Sequence, residues 1–115
     1  MDSSAMNSQG EKSYYAVIFA AVRNDSDHEE YARVAKRMVE LAKAHKGFLG
    51  MESVRGADGF GITISYWQTL EDIQAWKANS EHMAAQELGR SKWYRSYRVR
   101  ICKVEREYAF SGGAN

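Results

Sequence analysis

The sequence predicts an α+β domain in which four strands form one antiparallel sheet and the helices cover one of its faces. Three observations predict it. The run Tyr14–Arg23 is almost wholly apolar, as in a strand that is buried on both faces. Side chains alternate over Phe60–Trp67 between larger apolar and mostly small residues, as in a strand with two unlike faces. Capping-box patterns begin at Ser26 or Asp27 and again at Thr69, each ahead of an amphipathic segment.

The first half of the chain divides cleanly into strands and one helix. After the strand Tyr14–Arg23, apolar side chains recur at helical spacing and predict a helix over Asp27–His45. Gly47 ends that helix, and a second strand follows over Phe48–Val54. Residues 56–59 have the composition of a turn, so the second strand and the third, residues 60–67, form a hairpin.

The second half contains an interrupted helix and a long final strand. Leu70, Ile73 and Trp76 share a helical stripe, and Asn79-Ser80 interrupts the helix before a new one runs to about Arg90. Alternation over Tyr97–Phe110 predicts the last strand. The order β-α-β-β-α-β is the ferredoxin-like pattern.

Composition excludes several classes of function. The 115 residues contain 16 Lys or Arg and 15 Asp or Glu, a formal net charge of +1. A nucleic-acid or membrane-surface binder normally has a strong basic excess. One cysteine excludes an intramolecular disulfide and a Cys-rich metal site. Because no apolar run reaches the ~18 residues of a membrane span, and the polar start is unlike a signal peptide, we expect a cytoplasmic protein.

The chain is organised as one domain over residues 14–110. We expect a disordered leader over residues 1–13 and a flexible tail over 111–115, because both are polar and rich in small residues. With all helices on one face, the other face of the sheet needs a cover. A second copy of the chain is the simplest cover, so we expect a homodimer that the long last strand helps to build.

Five short motifs, taken together, resemble those of a known family. The motifs are Lys46–Gly50, Ile64–Trp67, Leu70–Trp76, Glu81–His82 and Trp93–Val99. Their order and spacing resemble the antibiotic biosynthesis monooxygenase (ABM) superfamily, the dimeric α/β-barrel proteins, and within it a bacterial subgroup. The resemblance covers roughly residues 14–108. It implies a homodimer with a cavity between sheet and helices in each subunit.

The resemblance also implies a type of chemistry. Several members of this superfamily oxidise phenolic or quinol substrates with O2 and without a metal or flavin, and others degrade haem. Cofactor-free oxygenation requires that a phenol is deprotonated, that its anion is held in a dry pocket, and that the reduced oxygen species is stabilised. No phosphate loop, nucleophile elbow or metal-ligand spacing occurs in this sequence. We therefore expect no cofactor.

Trp76 and His82 are the first candidate site residues. Trp76 aligns with the pocket tryptophan of the haem-degrading branch, and it is either a pocket wall or a core aromatic. His82, six residues later, would point roughly 120° away on an unbroken helix. The break at Asn79 lets the two side chains converge, which would make His82 a general base. The alternative for His82 is an exposed histidine in the first turn of a helix.

Gln86 is a departure from the haem-degrading branch. In that branch a histidine iron ligand lies ten residues after the pocket tryptophan, and an amide is a poor ligand by comparison. The branch also uses an asparagine on the first strand, and Tyr14–Arg23 contains none. Haem degradation by that scheme is therefore disfavoured, and Gln86 is kept as a substrate-binding candidate.

The aromatic residues near the last helix and strands complete the candidates. Trp93, Tyr94 and Tyr97 either line the cavity, with Tyr94 or Tyr97 bonding a phenolate, or form a hydrophobic plug or dimer contact. Of the neighbours Tyr66 and Trp67, one must face the helices and the other the dimer. Arg98 and Arg100 are expected on a solvated or intersubunit surface, Cys102 in the core or the dimer seam, and His28 and His45 at the surface.

Two functions follow from these residues. The first is a cofactor-independent monooxygenase that oxidises a small aromatic or quinol-type compound with O2. Its catalytic residues would be His82 and Tyr94, and its substrate-binding residues Trp76, Tyr66, Trp93, Tyr97 and Gln86. The second is a non-catalytic protein of the same architecture, which binds a small molecule or has a stress-related role. Neither function involves nucleic acid or a membrane.

Overall fold

The structure, a computed structural model, describes residues 13–113, with the side chain of Ser80 excepted. The expected leader therefore lies outside the described residues except for Ser13, and so do the last two residues of the expected tail. Within the described residues, no helix combines the length and the apolar character needed to cross a membrane.

The sheet has four antiparallel strands in the order β2-β3-β1-β4. They are β1 Tyr14–Arg23, β2 Phe48–Arg55, β3 Phe60–Trp67 and β4 Tyr94–Val104. The predicted bounds of the first and third strands are confirmed. The apolar run of β1 is explained by its place, since β1 pairs with β3 on one side and β4 on the other. The ferredoxin-like α+β fold is confirmed.

Three helices lie on one face of the sheet, and side chains cap each of them. They are α1 His28–Ala44, α2 Leu70–Ala78 and α3 Ser80–Leu88. Asp27 accepts a hydrogen bond from the Glu30 amide, and Thr69 accepts one from the Asp72 amide, each at 3.0 Å. The predicted break is confirmed, because Asn79 ends α2 and its side chain caps α3.

The last strand differs from its prediction at both ends. A π-helical turn, Gly89–Trp93, closes through a hydrogen bond from the Tyr94 amide to the Gly89 carbonyl, so β4 begins at Tyr94 and not at Tyr97. The strand ends at Val104 and not at Phe110. Val104 pairs with Tyr14, the first residue of β1, and no strand in residues 13–113 pairs with the chain beyond it.

The loop after β1 holds the segment that precedes β4. Side chains of Asn24 and Ser26 donate to the Lys92 carbonyl at 2.7 and 2.6 Å. The Asn24 amide and Arg23 Nε donate to the Trp93 carbonyl at 2.9 and 3.3 Å. These bonds satisfy carbonyls that the wide turn leaves without helical partners, and they fix where β4 starts.

The core lies between the helices and the sheet. Trp67 of β3 is fully buried, and it packs with Ala42 of α1 and with Ile73 and Trp76 of α2. On the opposite face, β1 and β3 pair apolar residues, such as Ile18 with Ile64. No described helix covers that face, and Phe60 and Val54 on it are 43% and 68% exposed.

Candidate active site

The helix-bearing face of the sheet is the floor of the candidate site. Strand register arranges the β3, β1 and β4 side chains of this face in four rows. The rows are Trp67, Tyr15 and Lys103; Ser65, Val17 and Ile101; Thr63, Phe19 and Val99; and Gly61, Ala21 and Tyr97. Val99 and Ile101 are 48% and 52% exposed, so the β4 side of this floor is an open apolar strip.

Trp76 and His82 meet at the Trp67 end of the floor. Their rings stack with centroids 4.0 Å apart and planes inclined by 13°. Trp67 lies beneath, with its centroid 5.9 Å from that of Trp76. The predicted convergence is confirmed, because Asn79 accepts hydrogen bonds from the amides of Glu81 and His82 and so redirects the chain between the two rings.

The hydrogen bonding of His82 defines its tautomer. Nδ1 lies 3.0 Å from the Trp76 carbonyl oxygen. Because a carbonyl oxygen only accepts, Nδ1 carries the proton and Nε2 keeps its lone pair. Burial lowers the pKa of His82 below its usual value, and the bond to the Trp76 carbonyl opposes this only in part. His82 is therefore a neutral imidazole at pH 7, the form that can accept a proton.

Gln86 and His45 border this pair of rings. Gln86 Nε2 donates to the Lys77 carbonyl oxygen at 3.4 Å and lies 3.5 Å from His82 Nδ1, a contact between two donors that is not a hydrogen bond in this tautomer. The prediction that His45 is a surface residue is wrong. The side chain is half-buried, and its ring meets that of Trp76 of α2 edge-on at 5.5 Å. Its Nδ1 is buried and has no hydrogen-bond partner in the described structure.

The second group of candidates lies at the other end of the floor. Tyr94 packs against Phe19, with ring centroids 5.4 Å apart, and against Tyr97 at 5.9 Å. Its hydroxyl donates to the Tyr31 hydroxyl at 3.2 Å. Burial, and then this hydrogen bond, raise the pKa of Tyr94, so its phenol stays protonated at neutral pH. The structure does not bring Tyr94 to His82.

Trp93 and Tyr97 differ sharply in exposure. Trp93 is 3% exposed and meets the Tyr31 ring edge-on at 5.4 Å, so it packs against α1. Tyr97 is 37% exposed and borders the open apolar strip. Arg90 Nη1 donates to its hydroxyl at 3.4 Å.

Tyr66 lies on the face of the sheet without helices, and its neighbour Trp67 faces the helices. The Tyr66 hydroxyl donates to Glu52 at 2.7 Å, and this bond raises the pKa of Tyr66. Tyr14 sits beside it and donates to Glu107, which raises the pKa of Tyr14 to about 12. Register places Arg98 and Arg100 on this same face. Tyr66 is thus separated by the sheet from the other candidates.

Comparison with known proteins agrees with the fold and the motifs. The sequence profile of the antibiotic biosynthesis monooxygenase family matches residues 13–88. The chain belongs to this family. It is 51% identical over 105 residues, 91% of each chain, to protein YqjZ of Bacillus subtilis, whose own name records no function. It is 30% identical over 95 residues to the jasmonate monooxygenase ABM of Pyricularia oryzae. This match covers 78% of this chain and 43% of that enzyme.

Solved structures of the ABM family share the architecture. SnoaB, a cofactor-independent oxygenase from Streptomyces nogalater, superposes with a TM-score of 0.67 at 13% identity, over 84% of this chain and 96% of its own. At that identity the likeness concerns the fold. In residues 13–113 of this ABM protein, no group of three or more His, Cys, Asp or Glu side chains is arranged to hold a metal ion.

Three residues on the helix-bearing side of the sheet were not predicted as site residues: Arg23, Arg55 and, on α1, Tyr31. Arg23 Cζ lies 3.8 Å above the centroid of the Tyr31 ring, and Arg55 Cζ lies 5.0 Å from the same centroid. Arg23 is 9% exposed. A signal was available, since Arg23 ends the apolar run in phase with Val17 and Phe19, which puts a charged residue on the helix-facing side.

Proposed function

We propose that this protein is a cofactor-independent monooxygenase that oxidises a small aromatic or quinol-type compound with O2. The observation that supports it best is the His82 ring, which is neutral, stacked on Trp76 and left with an unprotonated Nε2. Membership of the ABM family and the monooxygenase name of the Pyricularia relative support the same reaction class.

His82 is the base of the proposed reaction. Its Nε2 accepts the phenolic proton, and the resulting anion is electron-rich enough to reduce O2. For a phenol with a free para position, the substrate and O2 give a quinone and water. One oxygen atom enters the ring and the other leaves as water. The substrate supplies all four electrons, so the protein contributes proton transfer and binding alone.

The other candidates have supporting roles in this proposal. Trp76 is the wall against which His82 is held, and Gln86 lies beside the histidine as a substrate-binding candidate. Tyr97 borders the open strip that receives the apolar part of the substrate. Tyr94 stays neutral and donates its hydroxyl proton to Tyr31 at the far end, and Trp93 packs against the same Tyr31 ring. Tyr66 has no place on this side of the sheet.

Oxygen consumption with a panel of hydroquinones and phenols tests the reaction. We expect uptake with at least one compound and a fall of ~10²-fold or more in His82→Ala, the range that general base catalysis contributes. His28→Ala is the matched control, because His28 is an exposed histidine at the start of α1. Uptake that is unchanged in His82→Ala would remove His82 as the base, and no uptake with any compound would remove the reaction.

We further propose that the protein is a homodimer joined through the sheet face without helices. This face pairs Ile18 with Ile64 and Ala20 with Ile62, and no described helix covers it. The chain beyond β4 also presents apolar side chains, with Tyr108 and Phe110 67% and 93% exposed. Light scattering should give twice the chain mass. Ile64→Glu should give a monomer, because it buries an unpaired charge. A monomeric wild type contradicts the proposal.

One observation favours the alternative of a non-catalytic small-molecule-binding or stress-related protein. Trp76 is 8% exposed and belongs to the core cluster with Trp67 and Ile73, so part of the space under the helices is filled by the protein itself. This alternative predicts ligand binding without oxygen uptake, and the oxygen assay above separates the two.

A further inference from the structure

We propose that Arg55 and Tyr31 form a carboxylate-binding site at the end of the helix-bearing face opposite His82, and that its ligand is an apolar carboxylic acid. That this ligand is the substrate rests on the proposed function. The binding site itself is argued from charge, hydrogen bonding and exposure.

The guanidinium groups of Arg23 and Arg55 both lie close to the Tyr31 ring. Arg23 Cζ lies 3.8 Å from the ring centroid and Arg55 Cζ 5.0 Å. Arg23 is almost buried, and its side chain donates hydrogen bonds to the carbonyls of Trp93 and Ser26, at 3.3 and 2.7 Å. Its side chain is thus fixed, and its positive charge lies over one face of the Tyr31 ring. Arg55 is exposed and keeps donors free.

Neither charge is balanced by a carboxylate. Within residues 13–113, no Asp or Glu oxygen lies within 4.0 Å of either guanidinium group. The N-cap Asp27 and the first-turn Glu30 of α1 are engaged by another cation, because Lys92 Nζ lies 2.6 Å from Glu30 and 3.7 Å from Asp27. A nearly buried arginine without a counter-charge is costly, and an anionic ligand would relieve that cost.

The Tyr31 hydroxyl has an unused proton. Its oxygen accepts one hydrogen bond from Arg55 Nη2, at 2.5 Å, and another from the Tyr94 hydroxyl, at 3.2 Å. Both bonds use the oxygen as acceptor, and no acceptor for its proton is present among the described residues. The Tyr31 O–H and the remaining N–H groups of Arg55 are therefore adjacent donors. Adjacent donors beside a positive charge match the two oxygens of a carboxylate.

The floor explains how these side chains reach each other and what the rest of the ligand contacts. Gly61 and Ala21 are the middle residues of the row that Arg55 begins and Tyr97 ends. A Cβ at Gly61 would lie 3.3 Å from Arg55 Nη1, so the glycine leaves Arg55 room to lie over the sheet.

Tyr94 joins this pair to the open apolar strip. Its ring packs against Phe19 at 5.4 Å and its hydroxyl bonds Tyr31, so an apolar body lying over Phe19 and Val99 places a carboxylate near Tyr31 and Arg55. The exposure of Val99, 48%, leaves that strip accessible. Apolar burial and a charge-assisted hydrogen bond would then act on the same ligand.

Calorimetry with acid and amide pairs tests the site without any turnover. The probes are benzoate, 4-phenylbutyrate and octanoate, each with its uncharged amide. We expect at least one acid to bind the wild type roughly tenfold or more tightly than its amide, the effect of one charge-assisted hydrogen bond. Arg55→Gln and Tyr31→Phe should remove that preference, and Arg55→Lys should retain part of it because the charge remains.

Arg33→Gln is the matched control, since Arg33 has the same charge on the exposed side of α1 and lies outside the cluster. It should keep the full preference. Equal binding of acid and amide, no binding of any of the three acids, or an equal loss in Arg33→Gln would each overturn the proposal. Acid preference in His82→Ala, or in a protein that consumes no oxygen, would support the site while the proposed reaction fails, so the two failures are distinguishable.

Discussion

Gly47 couples the end of α1 to the start of α2, and Gly47→Ala is the most informative test of how the site is held. Gly47 has φ +84°, a conformation that side chains with a Cβ disfavour. A Cβ at this position would lie 1.9 Å from Asp72 Oδ2 and 2.7 Å from Asp72 Cβ. Rotating the Asp72 side chain does not move its Cβ, so the first turn of α2 itself must shift.

The cost can be worked out from these distances. An alanine in the left-handed region loses about 1–2 kcal/mol, and forcing extra volume into a packed site costs about 1–3 kcal/mol more. The sum is about 2–5 kcal/mol. With an unfolding entropy of about 2.1 cal/mol/K per residue, a chain of 115 residues should lose about 8–20 °C in Tm.

Thermal unfolding at one fixed protein concentration measures this change, because dimerisation would make Tm depend on concentration. Gly50→Ala is the control, since its Cβ would meet only Tyr66 at the ordinary distance of 3.9 Å. A Tm for Gly47→Ala within ~2 °C of the wild type, against the ~8 °C minimum expected above, would refute the reasoning. An unchanged near-ultraviolet circular dichroism signal would also refute it, because a shift of α2 must alter the signal of the Trp76–His82 stack.

Three further predictions concern single side chains. Burial lowers the pKa of His82 in the folded protein below 6.5. As the pH falls, the unfolded chain therefore binds a proton at this histidine before the folded protein does. The free energy of unfolding should decrease as the pH drops from about 6.5 to the folded-state pKa. The free energy of unfolding should decrease less steeply with falling pH in His82→Gln. An equal pH dependence in the two proteins, measured by urea unfolding at several pH values, would contradict this. A Cβ at Gly89 would lie 2.9 Å from the Tyr94 ring, so Gly89→Ala should displace that ring and weaken binding of the carboxylic acids without changing the His82 pH profile. Trp67 is 0% exposed, and Trp67→Ala should cost about 3–5 kcal/mol in denaturant unfolding, whereas the exposed Gln74→Ala should change little.

Local sequence signals predicted most of the fold. The apolar run of β1, the alternation of β3 and the caps at Asp27, Thr69 and Asn79 all act over a few residues, and the structure uses each as expected. The π-helical turn was not predictable in this way. Its carbonyls are satisfied by Asn24 and Ser26, nearly 70 residues away in sequence, so its geometry depends on the tertiary fold.

The candidate site was predictable where it depends on a helix and less so where it depends on the whole sheet. The break at Asn79 indicated that His82 could approach Trp76. The contact of His45 with Trp76 could not be predicted from its place at a helix end, because it depends on where α2 packs. Arg55 was missed because its contact with Tyr31 spans β2, β3 and α1, and no local pattern records such a contact.

The strand order has a consequence for how the chain folds during synthesis. Of the four described strands, β1 is synthesised before the others and occupies an inner position between β3 and β4, and β4 is synthesised after the others. The apolar β1 therefore has one edge without a hydrogen-bonding partner until β4 has left the ribosome, and such an edge favours aggregation. Truncations that remove β4 should leave that edge open, and we expect such fragments to associate with one another rather than fold.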